Sequence, residues 1–172
     1  GQIPLHTACV FAAEACIVEM LVERFAQGIL LKDNEGRTAI SLALQHKAPQ
    51  GSCLCLLREA RVTPPEGRKD GAEGAGEEVF SDGLRIADEK GMLPLHWALR
   101  YTCPCGWQES VAMEVFGSFR GAARAANNDG WLPLHYAARY PVPLEMFKAL
   151  IEAFPEAAER ATNYGYLPVH LC

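Results

Sequence analysis

The amino-acid sequence predicts an all-α solenoid of stacked helix pairs joined by short finger turns, on the strength of a recurring phrase, a regular spacing and a helical apolar period. The phrase reads GWLPLHYAA at 130–138, GMLPLHWA at 91–98, GQIPLHTA at 1–8 and GYLPVHL at 165–171, with a worn copy, GRTAISLA, at 36–43. Its opening glycines, Gly1, Gly36, Gly91, Gly130 and Gly165, are spaced by 35, 55, 39 and 35 residues. Counting back 11 residues from the last four lands on Phe25, Phe80, Phe119 and Phe154 in turn. The longer spacings therefore hold insertions, 20 residues before Phe80 and four in the YTCPCGW stretch after Ala98. One domain over 1–172 results, with units near 1–35, 36–90, 91–129 and 130–164 and a partial unit at 165–172.

Within a unit the apolar residues fall into two short helical blocks. The first unit carries Val18, Leu21, Val22 and Phe25 on its second helix, at i, i+3, i+4 and i+7. The second unit supplies Cys53, Leu56 and Leu57 before the chain departs into 61–79, RVTPPEGRKDGAEGAGEEV, whose Gly, Pro and charge leave almost nothing to bury and predict an inserted flexible loop. The third unit repeats the pattern with Ala112, Val115, Phe116 and Phe119. In the fourth, Leu134, Ala137 and Ala138 mark one face of the first helix, Pro133 occupies a first-turn position where its missing N–H is harmless, and Phe147, Leu150, Ile151 and Phe154 follow on the second. Small residues at Ala8, Ala43, Ala98 and Ala137 let the first helices approach closely, while the bulkier second helices supply the core. Between pairs, DNEG, DEKG, NNDG and TNYG place Asn, Asp and Gly where a tight turn requires them.

This pattern resembles the ankyrin repeat, whose unit of about 33 residues carries Thr-Pro-Leu-His-x-Ala. The resemblance covers the whole chain apart from 61–79, as four units and the start of a fifth. It implies a right-handed stack of helix pairs with projecting finger loops, and a structural role for His6, His96, His135 and His170. One departure is systematic: Ile3, Leu93, Leu132 and Leu167 stand where the family has Thr, a residue whose hydroxyl helps fix that His, and only Thr38 keeps it. The units also run two residues long, which predicts a different turn between second helix and finger.

Composition narrows the function. With 172 residues, 49% hydrophobic and 22% charged, the chain is globular in character, and stretches such as VFAA and ACIV, interrupted by Glu14, fall far short of the roughly 20 residues of a bilayer span. A net charge of −5 disfavours nucleic acid as a partner. Seven Cys, with Cys9, Cys16, Cys53 and Cys55 in apolar helical segments, predict reduced buried thiols and an intracellular, cytoplasmic setting. No Met opens the chain and the last phrase stops at Cys172 before its helix could finish, so the sequence reads as a piece of a longer protein.

Four repeated His residues invite a metal, yet equivalent positions on stacked helices sit about 8–10 Å apart, too far for ligands that must each lie about 2 Å from one zinc. Cys103-Pro104-Cys105 beside Trp107 lacks a C-x-x-C spacing and a second ligand pair, although a reactive thiol there is plausible chemistry. The GAEGAGEE run at 71–78 lacks the Lys-Ser/Thr ending of a phosphate loop and carries Glu73, Glu77 and Glu78 where phosphate would be repelled. No catalytic motif appears, and neither a metal nor a cofactor is expected.

The resemblance instead points to the finger tips and the inner face of the first helices, the usual grip of such stacks on a partner. These positions hold Met92, Trp97 and Arg100 in the third unit, Trp131, Tyr136 and Arg139 in the fourth, and Tyr166 in the fifth; Gln2, Thr7, Arg37 and Leu42 make the earlier units poorer in anchors. Trp, Tyr and Arg dominate interface hot spots, which predicts a protein-binding groove centred on the third and fourth units; the competing reading packs these rings against the neighbouring unit. The expected function is a non-catalytic protein-interaction module, monomeric as a domain, inside a larger intracellular protein. Its rivals are a substrate-recruiting segment of a multidomain enzyme, such as a kinase or ubiquitin ligase, and a spacer without a specific ligand.

Overall fold

The computed structural model describes residues 1–60, 82–101 and 107–171. The 61–79 insertion, Phe80, Cys103, Cys105 and Cys172 lie outside the described residues. The described residues form eight α-helices and no strand: α1 (Pro4–Val10), α2 (Ala15–Arg24), α3 (Ala39–Gln45), α4 (Gln50–Ala60), α5 (Pro94–Tyr101), α6 (Trp107–Ser118), α7 (Pro133–Arg139) and α8 (Leu144–Ala153). None of them is long and apolar enough to cross a membrane.

The helices make two rows. The short odd-numbered helices pack in succession, α1 on α3, α3 on α5 and α5 on α7, and the 3-10 segment Pro168–Leu171 closes that row against α7. In the outer row α2 packs on α4 and α4 on α6, while α8 rests on α7 and on the 3-10 segment Arg120–Arg124. Close approach along the inner row is possible because its contact positions are small: Ala39, Ala43, Ala98 and Ala137 are all buried, and Ala8 is half-buried. The apolar stripe of α2 is covered at Val18 and Val22, that of α4 at Cys53, Leu56 and Leu57, and that of α6 at Ala112, Val115 and Phe116. On α8 the deepest side chains are Met146 and Leu150, while Phe147 and Ile151 are only half-buried.

Phe25, Phe119 and Phe154 stand just past the ends of the second helices, Phe154 buried in the core, Phe119 packed against it and Phe25 exposed. Phe25, Phe119 and Phe154 share one backbone conformation, with φ of −149°, −146° and −151° and ψ of 70°, 79° and 81°, and each N–H still bonds back into its helix. A 3-10 segment follows in each case, Ala26–Ile29, Arg120–Arg124 or Pro155–Glu159, and this turn fills the place where the long unit predicts an unusual connection. Phe25 is 47% exposed, whereas the later two rings are covered by arginines: Arg85 lies 4.9 Å from the centroid of Phe119, and Arg124 and Arg160 lie 5.6 Å from that of Phe154. The Arg85–Phe119 and Arg124–Phe154 contacts join one unit to the next.

Each finger is a tight turn closed by a left-handed glycine. Gly36, Gly91, Gly130 and Gly165 have φ of +74°, +73°, +78° and +80°. At Gly91 and Gly130 the neighbouring finger also leaves no room, since a Cβ on Gly130 would stand 2.6 Å from Asn163 Oδ1 and 2.8 Å from its backbone nitrogen. Around Gly165 a Cβ would meet nothing within 4 Å. Gly165→Ala therefore incurs only the left-handed penalty of about 1–2 kcal/mol, and Gly130→Ala should lose clearly more through the added collision. Urea unfolding of the two variants checks this; equal losses would contradict the close packing of the fingers.

Candidate functional site

The site is built on the fingers, and the fingers are built on one polar side chain apiece. Asp33 Oδ1 accepts from the backbone N–H groups of Glu35 and Arg37, both at 2.9 Å. Asp88 Oδ1 does the same for Lys90 at 2.9 Å and Met92 at 2.8 Å, Asn127 Oδ1 for Asp129 at 3.0 Å and Trp131 at 2.8 Å, and Thr162 Oγ1 for Tyr164 at 3.3 Å and Tyr166 at 3.2 Å. Short oxygen-bearing side chains are what such turns select. Adjacent fingers are then stitched tip to tip: Glu89 N–H donates to Glu35 O, Asn128 N–H to Lys90 O and Asn163 N–H to Asp129 O, at 3.2, 3.0 and 3.0 Å.

The phrase histidines tie each first helix to the next finger. Nδ1 of His96 accepts from the N–H of Leu93 at 3.0 Å while Nε2 donates to Ala125 O at 3.1 Å; His135 accepts from Leu132 at 3.1 Å and donates to Tyr166 O at 3.2 Å. His6 does likewise with Ile3 at 3.4 Å and Leu31 O at 2.9 Å, and His170 Nδ1 accepts from Leu167 at 3.1 Å. The donor to Nδ1 is the main chain, so the missing threonine hydroxyl is not required. In the worn copy Ser41 takes the histidine's place and pairs with Thr38, oxygen to oxygen, at 3.2 Å. Both nitrogens of His6, His96 and His135 are thereby occupied, and among the described residues no three His, Cys, Asp or Glu side chains are grouped to hold a metal ion.

Three of the side chains expected to grip a partner prove to be internal. Met92, Trp97 and Tyr136 are 1%, 4% and 5% exposed. Trp97 Nε1 donates to Asp88 Oδ2 at 3.0 Å, and Asn127 Nδ2 donates to the Tyr136 hydroxyl at 3.1 Å, so each ring fastens the finger that leads into its own helix. Tyr136 also spans to the preceding unit, its hydroxyl pointing at Met92 Sδ at 3.9 Å and its ring meeting His96 edge-on at a centroid distance of 5.5 Å. Burial, partly offset by the charge of Arg100, pushes its phenol up to about 12. Inter-unit packing is the physical reason these residues are withdrawn from the surface.

The remaining expected residues stay accessible. Arg100 and Arg139 are exposed, Trp131 is half-buried, and Tyr166 is 50% exposed at the far end of the stack. Arg100, Trp131 and Arg139 line a surface cleft with Asp129, Tyr136 and Tyr140. Arg139 sits 5.8 Å from the Trp131 ring, and Arg100 sits 5.9 Å from Trp97 and 5.8 Å from Tyr101. Tyr101 and Tyr140 were not singled out by sequence reasoning, yet they stack on Trp97 and Tyr136 at interplanar angles of 4° and 13°. The signal was present in the paired hexapeptides HWALRY at 96–101 and HYAARY at 135–140.

The thiols divide. Burial pushes Cys9 and Cys53 up to about 12, which leaves them inert, and Cys55 is half-buried. Cys16, expected inside, is exposed, because it opens α2 on its outer side beside Glu14. No family model matches the chain, and no curated protein matches it either.

Burial holds the His96 imidazole down, from 6.5 to about 4, so its neutral form stabilises the fold fully above pH 6.5 and that contribution is lost as the pH falls through about 4. The loss at this group approaches about 3 kcal/mol, and His135, also lowered chiefly by burial, adds to it. Urea unfolding at pH 7, 5 and 4 measures the effect, and an unchanged midpoint would contradict it. A second expectation concerns Trp97: Trp97→Phe removes the bond to Asp88 and should cost about 1.5–3 kcal/mol, whereas Arg139→Ala, at the exposed surface, should stay within about 0.5 kcal/mol. Equal losses in the same unfolding assay would remove the fastening role.

Proposed function

We propose that this chain is an ankyrin-like solenoid serving as a non-catalytic protein-interaction module inside the cell, and that its partner lies in the cleft between the third and fourth units. The repeated phrase, the two rows of helices and the stitched fingers support the family reading. The carrying observation is the cleft itself. Arg100, Trp131, Arg139 and Tyr140 stand together at a surface whose supporting rings, Trp97 and Tyr136, are locked from beneath by hydrogen bonds. A preorganised patch of Arg, Trp and Tyr loses little freedom on binding, which is why these residue types concentrate affinity.

The equivalent surface of the second unit offers no such patch. Arg37 is held by Asp33 at 2.8 Å and by Glu35 at 3.0 Å, and its remaining reach goes to Gln45 at 3.2 Å. The acidic partner Asp33 is accordingly held below the usual carboxylate range, the guanidinium and two backbone N–H groups outweighing its burial.

The test compares proteins captured by the full chain, by Trp131→Ala/Tyr140→Ala and Arg139→Glu variants, and by Glu152→Ala on the opposite face, each checked for cooperative unfolding. A partner retained by Glu152→Ala and lost from both cleft variants is the expected result. Capture unchanged by either folded cleft variant would place the partner elsewhere or leave the chain a spacer.

A further inference from the structure

We infer that the cleft between the third and fourth units takes an acidic peptide segment, one that sets carboxylate side chains on Arg100 and Arg139. The inference rests on the cleft being a partner site and adds the chemistry of the partner. Arg100 and Arg139 occupy corresponding places on α5 and α7, which pack side by side. Both are exposed, and neither has a carboxylate within ion-pair distance among the described residues, although the chain as a whole carries a net charge of −5. The residues that line the cleft include two arginines and one carboxylate, Asp129, whose Oδ1 accepts from the Tyr164 hydroxyl at 3.4 Å.

The second unit supplies an internal contrast. There the guanidinium of Arg37 is neutralised by Asp33 and Glu35, and the position corresponding to Arg100 and Arg139 is the uncharged Gln45. Among these corresponding helix positions of the described residues, an arginine without a carboxylate partner therefore stands on α5 and α7 and not on α3.

Geometry favours bidentate capture of carboxylates. Each guanidinium lies 5.8 to 5.9 Å from a ring centroid, Arg139 at Trp131 and Arg100 at Trp97 and Tyr101, and among the described residues neither has a carboxylate to occupy the N–H edge that a fork-to-fork bond uses. Packed helices run about 8–10 Å apart, and alternate residues of an extended segment stand on one side about 7 Å apart. Two long arginine side chains close that difference, which matches an acidic-x-acidic spacing. The half-buried edges of Trp131 and Tyr140 then offer an apolar contact beside the second carboxylate.

The experiment selects binders to the full chain from a displayed library of random dodecapeptides and measures the best of them by fluorescence anisotropy. Peptides enriched in Asp or Glu at alternate positions are expected, weakened at least about tenfold by Arg100→Gln/Arg139→Gln and by added salt, with Arg139→Glu reversing the preference toward Lys or Arg. Non-acidic peptides that depend on Trp131 and Tyr140 but tolerate the Gln variant would overturn this inference and leave the partner cleft standing. Peptides indifferent to every cleft variant, or no binders at all, would count against both.

Discussion

A neutral imidazole with both nitrogens committed is the interaction on which the stack depends. In His6, His96 and His135 one nitrogen accepts from the start of its own helix and the other donates to a carbonyl of the next finger. The same ring thus fixes the entry of a first helix and its distance from the neighbouring unit. All three rings are fully buried, so an unmade bond at either nitrogen would leave a polar atom without water, and the penalty enforces the geometry. Because the acceptor at Nδ1 is served by the main-chain N–H of the residue preceding proline, that residue's side chain is released from hydrogen bonding. Leu93 and Leu132 use that freedom to bury apolar side chains, 6% and 1% exposed, where a hydroxyl would contribute less.

The fingers obey a second constraint that propagates from unit to unit. A base residue with a side-chain oxygen closes each turn, a glycine in the left-handed region lets the tip fold back, and the tips bond to one another through main-chain groups. Asn128 and Asn163 add side-chain amide bonds to Glu89 O and Asn128 O at 2.8 and 2.9 Å. Neither device has an analogue in an isolated helix pair, which is why such pairs gain stability only by stacking.

Much of this was legible in the sequence. The phrase, its spacing and the DNEG, DEKG, NNDG and TNYG turns located the first helices, the second helices and the fingers, because each depends on local residue types at stated intervals. The candidate site was legible only in part. Composition marks Trp97 and Tyr136 as good interface residues, yet the same amphipathic tips suit them to bonding Asp88 and Asn127, and only the position of the next unit decides which way a ring faces. Phe25 and Cys16 went the other way, toward the surface, because one sits past its helix's last turn and the other at its outer edge. Tyr101 and Tyr140 escaped notice since their roles come from stacking at i, i+4 on a partner whose burial was not yet known.

The location of free charge follows from how each finger is fastened. Where Arg37 fastens the base carboxylate of the second unit, the guanidinium is consumed and the surface above it is electrostatically closed. Where Trp97 and Tyr136 do that task, a neutral N–H or hydroxyl meets the base residue from inside, and among the described residues the arginines one turn further along α5 and α7 pair with no carboxylate. Fastening the finger with a ring from the first helix, where the second unit has Leu42 and uses Arg37 instead, therefore does two things at once: it fills the space between units with ring, and it leaves a cation at the rim. If the cleft is the partner site we propose, the partner's chemistry is set by the internal fastening of each unit as much as by the side chains at the rim.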